Sequence, residues 1–160
     1  MEDYIEIYTD GSSRGNPGPG GYGTILSYKG KEKELSAGFR LTTNNRMELL
    51  AVISGLEALK TTDIPVKVYS DSKYIVDAIN QKWVFGWIKT QFKKKKNQDL
   101  WMRWYAVQKP LNVQYIWVKG HAGHHYNERC DELAVNAAQS KNLGIDAFFE
   151  AHKNEDAELL

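Results

Sequence analysis

The chain has 160 residues, 42% of them hydrophobic and 26% charged, the makeup of one compact domain around one core. No apolar run approaches the roughly 18 residues that cross a membrane. The acidic start Met1-Glu2-Asp3 leads straight into a strand pattern, so no signal peptide is expected. A single cysteine, Cys130, excludes an internal disulfide and fits a reducing cytosol as the expected location. The net charge of +1 conceals an asymmetry, because residues 82–96 carry six lysines and no acid. Such a segment on an otherwise acidic body is an electrostatic footprint for phosphates, although a lysine run alone is more often a solvated face.

In chain order, Tyr4 to Thr9 alternates with the period of a strand and ends at Asp10-Gly11. The stretch GSSRGNPGPGGYG follows, and its repeated Gly and Pro predict an irregular turn. Strands are expected near 22–29 and 32–41, joined at Lys29-Gly30-Lys31 as a hairpin. Asn44-Asn45 reads as the N-cap of a helix running to about Lys60, with Leu49, Val52, Ile53, Leu56 and Leu59 on one stripe. Val66 to Tyr69 is a strand ending at Ser70-Asp71. Residues 72–80 form a short helix, and the Trp-rich basic segment continues helically. A helix near 98–108, a strand from Val113 to Val118 and a helix from about Asn127 to Gln139 complete the pattern. Residues 141–160 hold five acids and two lysines around Ile145 to Phe149, and either a docked short helix or a disordered tail fits them. The order predicts an α/β fold with a mixed sheet, an antiparallel meander followed by parallel strands.

Asp10 and Asp71 both stand where a strand pattern stops, and ligands of open α/β sheets collect at the carboxyl ends of strands. If those strands are parallel neighbours, the two aspartates converge. Glu48, in the first turn of one helix, and Asp131, in the first turns of another, extend the group to four carboxylates. Carboxylates at close quarters raise each other's pKa and need a cation to ionise together. Oxygen donors without paired thiolates favour Mg²⁺ or Mn²⁺, and two such ions about 3.5–4 Å apart can clamp a phosphate. Any one of these residues alone is more simply a turn residue or a partner of a helix dipole.

The runs Tyr8-Thr9-Asp10-Gly11-Ser12, Gly15-Asn16-Pro17-Gly18-Pro19-Gly20-Gly21-Tyr22-Gly23, TTNNRMEL over 42–49, Ser70-Asp71-Ser72 and GHAGH…NERCDE over 120–132 together resemble the type 1 ribonuclease H family. They occur in that family's order across about residues 4–138. The resemblance implies a ribonuclease H-like fold with a five-stranded mixed sheet. It implies a catalytic domain over 1–140 with a basic protrusion at 82–96, and a tail from 141. The implied activity is hydrolysis of the RNA strand of RNA–DNA hybrids, leaving 3′-hydroxyl and 5′-phosphate ends. Asp10, Glu48, Asp71 and Asp131 become the metal-binding carboxylates, with Asp10 between two Mg²⁺ ions and Mn²⁺ a possible substitute. His121, in a glycine-flanked loop, becomes the group that assists proton transfer or product departure, a task suited to an imidazole. A monomer is expected, with no membrane partner.

His121, His124, His125 and Cys130 also make a nominal zinc set, but their spacing matches no standard site. His125-Tyr126 stands where the family more often has proline and glutamate. Gly11, Asn16, Asn44 and Asn45 match family positions that meet the minor groove, where small backbones and amides approach closely. Trp83, Trp87 and Lys93, Lys94, Lys95 and Lys96 match the protrusion that grips DNA phosphates. This stretch is about four residues shorter than in well-known bacterial relatives, with Phe92 where a tryptophan is common, and Trp83 is expected to anchor it. Cys130 reads as a small buried filler. The competing readings are a hybrid-binding module without cleavage and a same-fold DNA nuclease or transposase. The four intact carboxylates argue against the first, and TTNNRMEL with the histidine loop against the second.

Overall fold

The computed structural model describes residues 3–120 and 124–153. Three strands, β1 (Ile5–Ser13), β2 (Gly18–Tyr28) and β3 (Lys31–Thr42), form the meander, and β4 (Val66–Ser70) and β5 (Val113–Trp117) extend it. The sheet order is β3-β2-β1-β4-β5. The β1–β2 and β2–β3 pairs are antiparallel, while β1–β4 and β4–β5 are parallel. Between β2 and β3 the loop is Lys29-Gly30, with φ of 48° and 80°. Two successive positive φ values match the right-handed strand twist, as in a type I′ hairpin.

Helix α1 (Asn44–Glu57) packs on one face of the sheet and is itself covered by α4 (Gln98–Gln108). That double cover explains why every residue from Arg46 to Leu56 except Ser54 is buried. Ile7, Val66 and Val68 from the sheet meet Leu49, Val52, Ile53 and Leu56 from α1, and the fully buried Trp101 and Trp104 from α4 close the layer. The cap of α1 is Thr43, not the asparagine pair. Its hydroxyl accepts from Arg46 N at 3.2 Å, and Asn44 is already helical. Helix α2 (Lys73–Asn80) continues this face beside β4 and β5.

Helix α3 (Trp83–Lys89) is all that forms of the helical continuation expected through the basic segment. Beyond Thr90, Gln91, Phe92, Lys94 and Asn97 adopt positive φ, a conformation that a helix cannot contain. Trp83 is not the anchor either. It is 51% exposed, whereas Val84 and Phe92 are buried and Trp87 and Ile88 pack against the core. The i, i+3, i+4 stripe of this helix starts at Val84 and leaves Trp83 on the outer side.

The opposite face carries α5 (His125–Ala138) over β1, β2 and β3. Here the glycine-rich stretch departs from expectation: only residues 14–17 are irregular, and Gly18 to Gly23 lie inside β2. The glycines form a floor on which the helix backbone rests. A Cβ on Gly38 would lie 2.0 Å from the Ala137 carbonyl oxygen, and one on Gly23 would lie 2.4 Å from that of Cys130. Past α5 the chain returns along the outer edge of β3, where Gly144 N donates to Gly38 O at 2.8 Å and Arg40 N to Gly144 O at 3.0 Å. Of the two options for the tail, helix α6 (Ala147–His152) docks there, capped by Asp146.

Candidate active site

Because β1 and β4 run parallel with Tyr8 opposite Tyr69, the carboxylates two residues further on, Asp10 and Asp71, emerge side by side at the same end of the sheet. Asp10 is still within β1, which continues to Ser13. Glu48 descends onto them from the first turns of α1. Ligand oxygens of Asp10, Glu48 and Asp71 all lie within 4.8 Å of one another. Asp10 and Glu48 are buried, Asp71 half-buried.

Gly11 makes this approach possible. A Cβ there would lie 2.3 Å from Glu48 N and 2.4 Å from Met47 C, so any other residue would push α1 away from the sheet. The Gly11 N–H donates to Glu48 Oε1 at 2.6 Å and to Asp10 Oδ1 at 3.0 Å. Glu48 Oε2 is buried without a hydrogen-bond partner among the described residues. Burial first, then the neighbouring Asp10 and Asp71, push the Glu48 carboxyl well above its usual range. An orphaned carboxylate oxygen in an all-oxygen group of three acids fits a hard divalent cation.

Asp71 is held from β5. Val118 N donates to Ser70 O at 2.9 Å and the Trp117 indole donates to Asp71 O at 3.2 Å. Asp131 does not belong to the trio among the described residues. It is half-buried on α5, next to Cys130, whose backbone rests over Gly23, the partner of Asp10 in the β1–β2 ladder. Cys130 is fully buried, as a filler should be, and burial raises its thiol. His121 lies outside the described residues, and with it the full zinc set. The start of α5 is pinned by aromatic stacking: Tyr8 stacks on Tyr69 at 4.9 Å and on Tyr126 at 4.3 Å. Tyr126, the family departure, thereby acquires a definite packing role, and its hydroxyl donates to Glu32 at 2.6 Å.

Asn16, Asn44 and Asn45 are exposed beside the trio, and Asn44 N donates to Asn16 Oδ1 at 3.1 Å. Asn45 also lines a groove of about 770 Å³ with Tyr74, Trp83, Trp87 and Lys94 to Lys96. Trp87 stacks on Tyr74 at 6.3 Å, and Lys95 Nζ sits 5.4 Å over the Trp87 ring. Lys93 is exposed at the same turn. The amides and the basic aromatic segment therefore form one continuous surface.

Two groups escaped the sequence reading. Arg46 is buried, with Nε donating to Asp146 Oδ2 at 2.7 Å and Nη2 to Asp99 Oδ2 at 2.6 Å. Its place at i−3 from Leu49 and i−7 from Ile53, on the apolar stripe, was the available signal. Nothing local pointed to Asp146, a hundred residues away.

The family model for RNase H matches residues 2–139. A Ribonuclease H of Desulforamulus reducens is 54% identical over 147 residues, covering 89% of this chain and 92% of that one. The structure is similar to that of LC9-RNase H1, a type 1 RNase H with the type 2 active-site motif, at a TM-score of 0.78 and 33% identity over 89% of this chain and 75% of that one. It is also similar to LC11-RNase H1, solved in complex with an RNA/DNA hybrid, at a TM-score of 0.66 and 29% identity over 84% of this chain and 96% of that one. The chain belongs to the ribonuclease H family, and its sheet has that family's fold. No helix among the described residues is long and apolar enough to cross a membrane.

Proposed function

We propose that this chain is a metal-dependent endoribonuclease that hydrolyses the RNA strand of RNA–DNA hybrids, leaving 3′-hydroxyl and 5′-phosphate ends. The carboxylate trio carries the reading: three acids from three remote elements share a space in which Glu48 Oε2 has no partner among the described residues. Asp10, Glu48 and Asp71, with Asp131 as the fourth ligand, would hold two Mg²⁺ ions, or Mn²⁺ in their place. Such ions supply charge neutralisation at the scissile phosphate and a water of lowered pKa. Gly11 keeps Glu48 oriented through its N–H and lets α1 approach closely enough to bring Glu48 to the aspartates. His121 transfers a proton or eases product departure.

The amides of Asn16, Asn44 and Asn45 and the backbone of Gly11 meet the minor groove, where 2′-hydroxyls distinguish RNA from DNA. Trp83, Trp87 and Lys93 to Lys96 receive the phosphates of the DNA strand. The protein acts as a monomer in the cytoplasm.

The test is a cleavage assay on four duplex types, with and without Mg²⁺. Only the hybrid is cut, only on its RNA strand and only with the metal. Hybrid binding without cleavage would leave a binding module, and cutting of duplex DNA would leave a DNA nuclease. Changing Lys93 to Lys96 to alanine lowers the salt slope of hybrid binding by up to about 0.9 for each phosphate that is no longer neutralised.

A further inference from the structure

Of the five tryptophans, Trp101 and Trp104 are fully buried, while Trp117 is 42% exposed, and unlike Trp83 it does not belong to the basic segment. Exposing an indole forgoes a large burial gain, yet this one is held in a fixed pose. Its N–H is bound to the Asp71 carbonyl at 3.2 Å, and the Lys73 ammonium lies 4.8 Å over its ring. Trp117 ends β5, opposite Ser70 in the parallel ladder. It thus stands one strand, about 4.8 Å, beyond the Asp71 side of the trio. Lys73 opens α2 from the same loop. In sheet order the site runs Asp10 on β1, Asp71 after β4, then Trp117 on β5, with Lys73 above.

We propose that Trp117 and Lys73 form a second RNA-strand subsite, separate from the basic segment, that receives the nucleotide next to the scissile phosphate. The proposal rests on the ribonuclease reading above. A polynucleotide whose phosphate lies at the trio extends its neighbouring nucleotide across β5, because the strand spacing is shorter than one nucleotide step. The base of that nucleotide stays paired and stacked within the hybrid, so the indole, pre-oriented by a backbone hydrogen bond, meets its ribose as a flat apolar surface without losing rotamer freedom on binding, and the Lys73 ammonium over the ring meets the flanking phosphate. Contact with the sugar is the same for every base, which suits an enzyme that selects by strand type.

Equilibrium binding to a short hybrid, in the Asp10→Asn background to prevent cleavage, tests the inference. Trp117→Ala weakens binding about five- to tenfold, the lower range for truncating one aromatic contact residue. Trp117→Phe, which keeps a ring but loses the N–H, retains most of the affinity. Lys73→Gln lowers the magnitude of the salt slope by about 1, the share of one phosphate. In protein carrying fluorinated tryptophan, the ¹⁹F resonance that Trp117→Phe removes shifts on addition of hybrid. Unchanged affinity in folded Trp117→Ala, or an unmoved Trp117 resonance at saturation, overturns the proposal while hybrid cleavage by the unaltered chain leaves the ribonuclease reading intact. If the unaltered chain cuts no hybrid, both fall together.

Discussion

Arg46 and Glu48 lie two residues apart on α1, both almost completely buried, and their surroundings are opposites. Arg46 meets two carboxylates, Asp99 and Asp146, with geometry that uses Nε and both terminal nitrogens. Burial alone would weaken its charge, but Asp99 and Asp146 more than restore it. Asp146 is further satisfied by the Thr42 hydroxyl at 2.7 Å and ties α6 to α1. Glu48 meets two more acids instead, with one oxygen unpartnered among the described residues. A spacing of two residues turns the side chains to different sides of the helix, so one helix presents a satisfied charge to the fold and an unsatisfied one to the site. Buried charges on one helix thus divide by their surroundings: the neutralised Arg46 ties elements together, and the uncompensated Glu48 leaves room for a cation.

Four experiments probe that contrast. The largest effect falls on Asp10→Asn, which removes one charge from the frustrated side. Hybrid cleavage drops by more than about 100-fold, beyond what a merely supporting residue contributes, while circular dichroism and the melting temperature of the metal-free protein are maintained or improved. Retained activity would defeat the site assignment. On the satisfied side, Arg46→Met leaves Asp99 and Asp146 facing each other without their cation. Urea denaturation should register a loss of about 3–5 kcal/mol.

Next in size is the pH dependence of the metal-free fold. The Glu48 carboxyl is raised in the folded chain by burial and by Asp10 and Asp71. A raised acid contributes its full stability below its unfolded pKa, and that contribution is lost as pH rises through the folded value. The metal-free protein therefore becomes less stable as pH climbs from the ordinary glutamate range toward neutrality. Mg²⁺ reverses the trend by binding only the folded state, and Glu48→Gln abolishes it. A melting temperature that rises over this range in chelator-treated protein would contradict the arrangement. The smallest effect is expected of Thr43→Ala, which removes the cap that starts α1 just ahead of both groups. It costs about 1 kcal/mol and perturbs the Arg46 and Glu48 sides alike, measurable as equal shifts with and without Mg²⁺.

Much of the site was legible in the sequence. Asp71 stood just past a strand end, and the parallel pairing that joins the two aspartates followed from strand-helix-strand order, although Asp10 lies inside β1 and Glu48 one residue beyond the first turn of α1. Where local patterns misled, the reason was a contact from elsewhere in the chain. Gly18 to Gly23 looked irregular because glycine is a local breaker, but in β2 these glycines answer the close seating of α5. Trp83 looked like an anchor because it stands i,i+4 from Trp87, a spacing at which aromatic pairs usually pack. Helix phase instead turned Val84 and Trp87 inward. The asparagines looked like a cap, yet Thr43 is the residue whose hydroxyl reaches Arg46 N.

Local patterning carried the run of elements, the mixed sheet and the choice of candidate acids, since periodicity, turn chemistry and motif spacing act over a few residues and leave a trace in the string. How near those acids come and which charges are answered depend on the packed chain. The 4.8 Å grouping of Asp10, Glu48 and Asp71, the pairing of Arg46 with an aspartate a hundred positions away and the pose of Trp117 against Asp71 all depend on packing between remote segments. Packing distances of that kind are set by what the intervening backbone allows, down to a missing Cβ at Gly11, and no local pattern encodes them.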